Sequence, residues 1–436
     1  MKYCLPIIAL LLSFGKTSSQ NLYFPPLAGN AWETLPPDSL GWCDEKIQEL
    51  YDLLETNNTK AFIVLKDGRI VLEKYFGSFT QDSAWYWASA GKSMTACLVG
   101  IAQQEGLLGI EDKTSDYLGQ SWTAAPADKE DLITVRHQLS MTTGLDDGVP
   151  DNYCTLDTCL IYKADAGTRW AYHNAPYTLL DQVIESATGQ NFNQFFNQKM
   201  TQKTGITGLW VKVDYNNILW SKARSMARFG LMILNNGYWA NTPILTDPNY
   251  FYQMVSTSQD INPSYGYLWW LNGKPSYKLP GLQVNFPGPL FPAAPADMIS
   301  ALGKNGQYIN VVPSQNLVMI RMGNAPGTGV EVPVAFNQDI WVKMNELECE
   351  PSAVFGEKNE VERLHITPNP SKGIVQLNGI EGGKSFDVKV FDGTGKQVFS
   401  AKNTLILNLS GFVNGIYFAK IEQNGKVFMG RFLLEN

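Results

Sequence analysis

After its first twenty residues the sequence has no apolar run long enough to span a bilayer. It has no excess of positive charge: 34 Lys and Arg stand against 41 Asp and Glu, a formal charge of −7. That balance gives no support for nucleic acid or an anionic membrane surface as a partner. Cysteine is sparse, six in 436 residues. Cys4 lies in a stretch with the marks of a secretory signal over residues 1–19. Lys2 supplies the positive start, Leu5 to Phe14 the apolar core, and Thr17-Ser-Ser19 the small residues for cleavage. Pro6 and Gly15 argue against reading it as a buried helix. The mature chain would begin near Gln20, and losing Lys2 and Lys16 takes its charge to −7 − 2 = −9. Five cysteines then remain, Cys43, Cys97, Cys154, Cys159 and Cys349, an odd number. Cys97 sits in an apolar helical stretch and reads as a free thiol, which behaves as a small hydrophobe. The other four can pair in an oxidising compartment. What the chain has in plenty is core material, 44% hydrophobic residues with 12 Trp, over a length sufficient for two or three domains.

The most informative stretch runs from Trp85 to Ile101. An aromatic approach leads into a helix with Met94, Leu98 and Ile101 at helical spacing and almost no polar face, so the helix is buried. Its first turn nevertheless carries Ser89 and Lys92, three apart and on one face. An unpaired ammonium in an apolar interior is costly. Serine becomes a nucleophile when a neighbouring base takes its proton, and a lysine can be that base if burial and a second cation depress its pKa. The free N–H groups of the helix start favour the oxyanion formed when a carbonyl is attacked. The string S-x-x-K alone is weak, since it recurs from Ser13 to Lys16.

Upstream, residues 42–56 predict a helix, Ala61–Leu65 a strand, and Ile70–Leu72 its hairpin partner. Residues 105–165 read as loops and short helices, with one helix over Ile133–Gly144. His137 falls mid-helix without a carboxylate nearby in sequence and reads as structural. Tyr172 precedes a helix starting near Pro176, so its phenol can project into a cleft and act as base and then acid. Y-x-N also occurs at Tyr215 and Tyr308. For a third group there are two choices. Lys203-Thr204-Gly205 follows a helical stretch through Phe192 and Met200, where Gly205 reads as its stop. Lys304-Asn305-Gly306 lies between predicted strands Met298–Leu302 and Gln307–Val312, with a further strand over Leu317–Met322, and is the better candidate.

The order S-x-x-K, Y-x-N, K-x-G resembles the serine β-lactamase and penicillin-binding-protein superfamily, and most the class C β-lactamase-related hydrolases and esterases. The resemblance spans about residues 41–348 and includes Ile133–Leu145, Ser225–Leu234 and Tyr265–Trp270. It implies an α+β fold, an antiparallel sheet flanked by helices with an inserted all-α domain, and an active site between the two. It makes Ser89 the nucleophile, Lys92 its proton partner and Tyr172 the general base and acid. Asn174 would position Lys92 or the substrate amide. Lys304 would lower the Tyr172 pKa and meet substrate negative charge, with Asn305, Gly306 and Gln307 completing that side. The backbone N–H groups of Ser89 and Gln307 would form the oxyanion hole. No metal or other cofactor is implied. Many relatives carry Thr or Ser where Asn305 stands, so an esterase or D-aminopeptidase/carboxypeptidase-type activity is expected ahead of true β-lactam turnover. The fold also lays the last helix, residues 334–347, against the first. We therefore expect the disulfides Cys43–Cys349 and Cys154–Cys159, with Cys97 free.

Residues 20–40 form an extended lead-in, and the polar stretch 349–362 reads as a linker. Residues 363–436 show short alternating strands between Gly-containing turns, a small β-sandwich. Ile366-Thr-Pro-Asn-Pro370, Val413–Phe418 and the terminal Gly430-Arg-Phe-Leu433 resemble the C-terminal sorting domain of the type IX secretion system. That implies export through the periplasm to the cell surface or medium, with the secretion machinery as partner. A small molecule or peptide would be the substrate. The rival expectation is a catalytically silent surface protein that binds peptidoglycan-like or glycan ligands in the same cleft, with Trp87 and Trp170 as its aromatic lining.

Overall fold

The computed structural model describes residues 22–327, 332–349, 361–380, 385–423 and 426–435. The expected signal segment and most of the expected linker lie outside these. The chain divides into two compact units, the first ending at Cys349.

In the first unit, α1 (Asp44–Thr56) carries Asp44 and Glu45 in its opening turn, where they complement the helix dipole, and buries Ile47, Leu50 and Leu54 on one face. β1 (Thr59–Lys66) and β2 (Arg69–Tyr75) form the expected hairpin. β3 (Ala84–Tyr86) leads into α2 (Gly91–Gln104), whose residues Gly91 to Ala102 are all buried. Short helices and loops follow, including α3 (Asn174–Thr178) and α4 (Leu180–Thr188). The helix expected over Ile133–Gly144 is confined to Val135–Leu139, because Met141 and Gly144 adopt left-handed conformations that a helix cannot absorb. β4 (Gly208–Val213) and β5 (Asn216–Lys222) make a small sheet with β3. Then come α5 (Ala223–Leu234), β6 (Trp270–Leu271), β7 (Ile299–Gly303), β8 (Gln307–Val312), β9 (Leu317–Gly323) and α6 (Val334–Asn345).

The main sheet has the order β2-β1-β9-β8-β7-β6, antiparallel throughout. Its central strands are buried on both faces, so they read as continuous apolar runs. Tyr308 packs on Phe336 and Asn310 bonds Asn337, both of α6. Ile309, on the opposite face, lies under Gly230 of α5. The first and last helices meet as expected: the Cys43 N–H donates to Leu347 O at 2.9 Å, and Cys43–Cys349 closes the unit with Cα atoms 5.1 Å apart. Cys154–Cys159 is also bonded. Cys97 is a buried free thiol that burial pushes up to about 12.

The second unit sets a five-stranded sheet, Val361–Arg363, Lys426–Leu434, Gly415–Gln423, Asp387–Asp392 and Gln397–Lys402 in spatial order, beside a three-stranded one, His365–Thr367, Ile374–Asn378 and Ile406–Asn408. Alternate residues such as Val375, Leu377, Val388, Val390, Ala419 and Ile421 form its own core, as a sandwich requires.

Candidate active site

The site is built around the turn into α2. Ala88 has φ +46°, a left-handed backbone that is strained for alanine. It opens a single 3-10 turn over Ala88–Ala90 that runs directly into α2. This turn sets Ser89 at the cleft while Ala90 and the rest of the helix go into the core. Lys92, 4% exposed, lies one helical turn on. Its Nζ donates to Ser89 Oγ at 3.1 Å and to Asn174 Oδ1 at 2.9 Å. The ammonium also stands 3.9 Å over the Tyr177 ring and 5.2 Å over the Tyr172 ring. Two aromatic faces and the Asn174 amide oxygen thus stabilise a buried cation where water cannot.

Tyr172 reaches the cleft from the loop before α3, its ring stacked on Trp270 at 5.9 Å and edge-on to Tyr265. Lys304 enters from the turn between β7 and β8. Two adjoining hollows meet over Ser89, sharing Ser89, Tyr153 and Lys304 as walls. The smaller, about 130 Å³, is completed by residues that include Asn152, Tyr172, Asn174 and Gly281. The larger, about 280 Å³, is completed by residues that include Lys92, Tyr177, Asn216 and Asn217. Behind Asn217 lies Asp181, whose carboxyl burial raises to about 6.

Of the four residues expected on the K-x-G side, only Lys304 lines the hollows. Asn305 does not: its Nδ2 donates to Tyr86 Oη at 2.7 Å, because its left-handed backbone (φ +63°) turns the side chain back toward β3. Gly306 is buried in the turn. The Gln307 side chain is buried too, its amide paired with Gly323 at both ends. The aromatic lining expected from Trp87 and Trp170 is corrected. Both are 0% exposed. Trp87 donates to Ser221 Oγ and packs on Phe229, since left-handed Ala88 breaks the alternation that would have put it beside Ser89. Trp170 lies beneath Tyr172, against Tyr265 and Trp270. The tyrosines Tyr153, Tyr172 and Tyr177 line the cleft instead.

Lys203-Thr204-Gly205 ends a helical stretch, with Gly205 at φ +71° as the left-handed cap, and lines neither hollow. His137 is structural: its Nδ1 accepts the Thr134 N–H at the start of its helix.

Two framework residues escaped the sequence reading. A Cβ on Gly303 would lie 2.4 Å from Trp87 O and 3.0 Å from Ala90 N, so only glycine lets β7 close against the Ser89 turn. Arg321 of β9, 0% exposed, donates to Asn305 O, Gly306 O, Asn57 O, Asn324 O and Thr59 Oγ1. It clamps the Lys304 turn from behind. An arginine in a strand otherwise made of apolar residues was the available signal.

Serine, lysine and tyrosine converge on one cleft, with a second lysine opposite, an arrangement that can carry acyl transfer. The family comparison agrees. Residues 56–339 match the Beta-lactamase family, and the chain belongs to it. Residues 365–435 match the secretion system C-terminal sorting domain, which indicates export to the cell surface or medium. An uncharacterized protein of Alkalihalophilus pseudofirmus is 24% identical over 330 residues, covering 67% of this chain and 90% of that one. The 6-aminohexanoate-dimer hydrolase of Paenarthrobacter ureafaciens is 22% identical over 296 residues, 55% of this chain and 71% of that one. Among solved structures, a provisionally named β-lactamase from Bacteroides dorei aligns with TM-score 0.56 at 20% identity, over 70% of this chain and 99% of that one. Among the described residues no helix is long and apolar enough to cross a membrane.

Proposed function

We propose that this protein is an exported hydrolase that cleaves an ester, amide or β-lactam bond through an acyl-enzyme at Ser89. The observation that carries the reading is Lys92 Nζ, 3.1 Å from Ser89 Oγ and held there by Asn174 Oδ1. Ser89 Oγ attacks the carbonyl and its proton passes to the Tyr172 oxygen, which serves as base when ionised beside the Lys92 and Lys304 ammonium groups. Tyr172 returns a proton to the leaving group as the acyl-enzyme forms, and water then releases the acyl group by the reverse route. The backbone N–H groups of Ser89 and Gln307 hold the oxyanion. Export runs through the periplasm and the type IX machinery.

The cleft chemistry narrows the substrate. Its described lining carries two cations, Lys92 and Lys304, and no carboxylate. Neutral or anionic acyl donors are therefore favoured over those with a free amine, which supports esterase or carboxypeptidase-type chemistry over aminopeptidase. Asn305, with its amide committed to Tyr86, argues against true β-lactam turnover. The rival, a catalytically silent binder of peptidoglycan-like or glycan ligands, loses the tryptophan lining it was argued from, because Trp87 and Trp170 are core residues.

A fluorophosphonate probe tests the reading. Label is expected on the wild-type protein and not on Ser89→Ala; a folded wild-type protein that takes no label would contradict it. Intact-mass detection of acyl adducts across esters, D-amino peptides and β-lactams then identifies the bond.

A further inference from the structure

The hydrogen bonds that hold Lys92 do not stop at Asn174. While Asn174 Oδ1 accepts from Lys92, its Nδ2 donates to Asn152 Oδ1 at 3.2 Å. Asn152 is fixed in turn, its carbonyl accepting the Ala175 N–H at 3.0 Å. A side-chain amide has nearly the same shape with its oxygen and nitrogen exchanged, and only the oxygen attracts an ammonium. An acceptor at the far end of Asn174 decides which way round it sits.

The next residue, Tyr153, borders both hollows. Its N–H donates to Asp151 Oδ1 at 3.0 Å. The residue after that, Cys154, is bonded to Cys159, with Cα atoms 5.9 Å apart. Beyond the disulfide, Leu160 is 0% exposed, in a small cluster with Trp122, Ile133, Leu145, Ala175 and Leu179. Residues 150–156 have no helix or strand to hold them. The disulfide and the Leu160 anchor do what a backbone ladder would do elsewhere.

We propose that the loop closed by Cys154–Cys159 is a positioning and specificity element of the Ser89 site. Asn152 is a positioning residue that orients Asn174 toward Lys92. Tyr153 is a specificity-determining residue, the wall between the hollows for the acyl and leaving groups, and the disulfide holds both in place. The inference rests on the acyl-enzyme reading of Ser89.

The test uses the full chain and a series of p-nitrophenyl esters from acetyl to octanoyl, with fluorophosphonate labelling of Ser89 run in parallel. Asn152→Ala should lower kcat about tenfold, with KM little changed, the scale of losing the charge-assisted hydrogen bond from Lys92 to a misoriented Asn174. Asn152→Asp keeps an acceptor for Asn174 Nδ2 and should restore most of that loss, which a merely structural role does not predict. Tyr153→Ala should join the hollows and shift the kcat/KM optimum to longer acyl chains. Replacing both Cys154 and Cys159 by Ser should produce both effects at once. Replacing both Cys43 and Cys349 by Ser should lower stability and leave acyl preference as in the wild type. If the Cys154/Cys159 double variant fails to fold, Tyr153→Phe and Tyr153→Ala on the intact loop decide the specificity arm, and the two Asn152 variants the positioning arm. Wild-type kcat in Asn152→Ala, or wild-type chain-length preference in folded Tyr153→Ala, would overturn the proposal while the labelled wild type leaves the Ser89 reading standing. A wild-type protein with neither label nor ester turnover would remove that reading, and this proposal with it.

Discussion

At the residue scale, the proposed function rests on a few side chains held in unusual surroundings. Lys92→Ala and Tyr172→Phe should each reduce turnover by about a hundredfold or more, the usual scale for losing a positioned proton shuttle. The two K-x-G lysines are separable by the same assay. Lys304→Ala should impair turnover strongly, whereas Lys203→Ala, at the capped end of a helix, should stay near wild type. Sensitivity at Lys203 would place the site wrongly. His173 sits between Tyr172 and Asn174, 2% exposed. Burial is the main cause that holds its imidazole down at about 4, from an ordinary 6.5, while Asp147 and Asp146 oppose the shift. The unfolded chain takes up a proton below about 6.5 and the native state does not until about 4. The contribution of His173 to stability is therefore complete above the upper value and is lost as pH falls toward the lower one, by at most about 3 kcal/mol. Denaturant midpoints at about pH 7.5 and about pH 4.5 should differ more for the wild type than for His173→Gln. Asp181, raised to about 6, acts with the opposite sign but is common to both proteins. Equal differences would show that His173 does not titrate this way.

At the scale of elements, the site depends on how closely three pieces approach: the turn into α2, the β7–β8 turn, and the loop before α3. Gly303 permits the first contact, and Arg321 fixes the second from behind. Its guanidinium bonds five neutral oxygens spread around a planar fork, a geometry that an ammonium cannot copy. Arg321→Met should cost about 3 kcal/mol, because several buried carbonyls lose a donor together. It should also slow fluorophosphonate labelling of Ser89 in the molecules that remain folded, as the Lys304 turn relaxes. Arg321→Lys should recover only part of either loss. Thermal melts and labelling rates measured side by side check both points. A folded Arg321→Met protein that labels at the wild-type rate would reduce the arginine to a purely structural role.

At the scale of the whole molecule, each unit carries its own core, and every described residue lining the cleft lies at or before Val332. A chain ending near Pro351 should therefore fold and keep full esterase-type activity. In its host it should accumulate in the periplasm, lacking the segment that the secretion machinery reads. Activity of the purified truncation and cell fractionation test the two halves. Lost activity in a soluble truncation would make the sandwich part of the substrate site, and normal export would remove its sorting role.

The sequence by itself determined the local pieces of this protein. Hydrophobic periodicity marked α1, α2, the β1–β2 hairpin and the strands around Lys304, because burial on one face leaves a periodic trace in the chain. The motif order singled out Ser89, Lys92, Tyr172, Asn174 and Lys304, and the capping glycine marked Lys203 as the weaker lysine. What it could not determine were the directions of side chains and the contacts between distant segments. Trp87 lies two residues from Ser89 yet points into the core, because one left-handed alanine between them breaks the pattern that spacing assumes. Asn305 faces Tyr86, 219 positions away, and Arg321 meets the Lys304 turn only because β8 and β9 pair in one register. Only the tertiary structure decided these, since such contacts arise where the chain returns on itself and leave no periodic trace in the sequence.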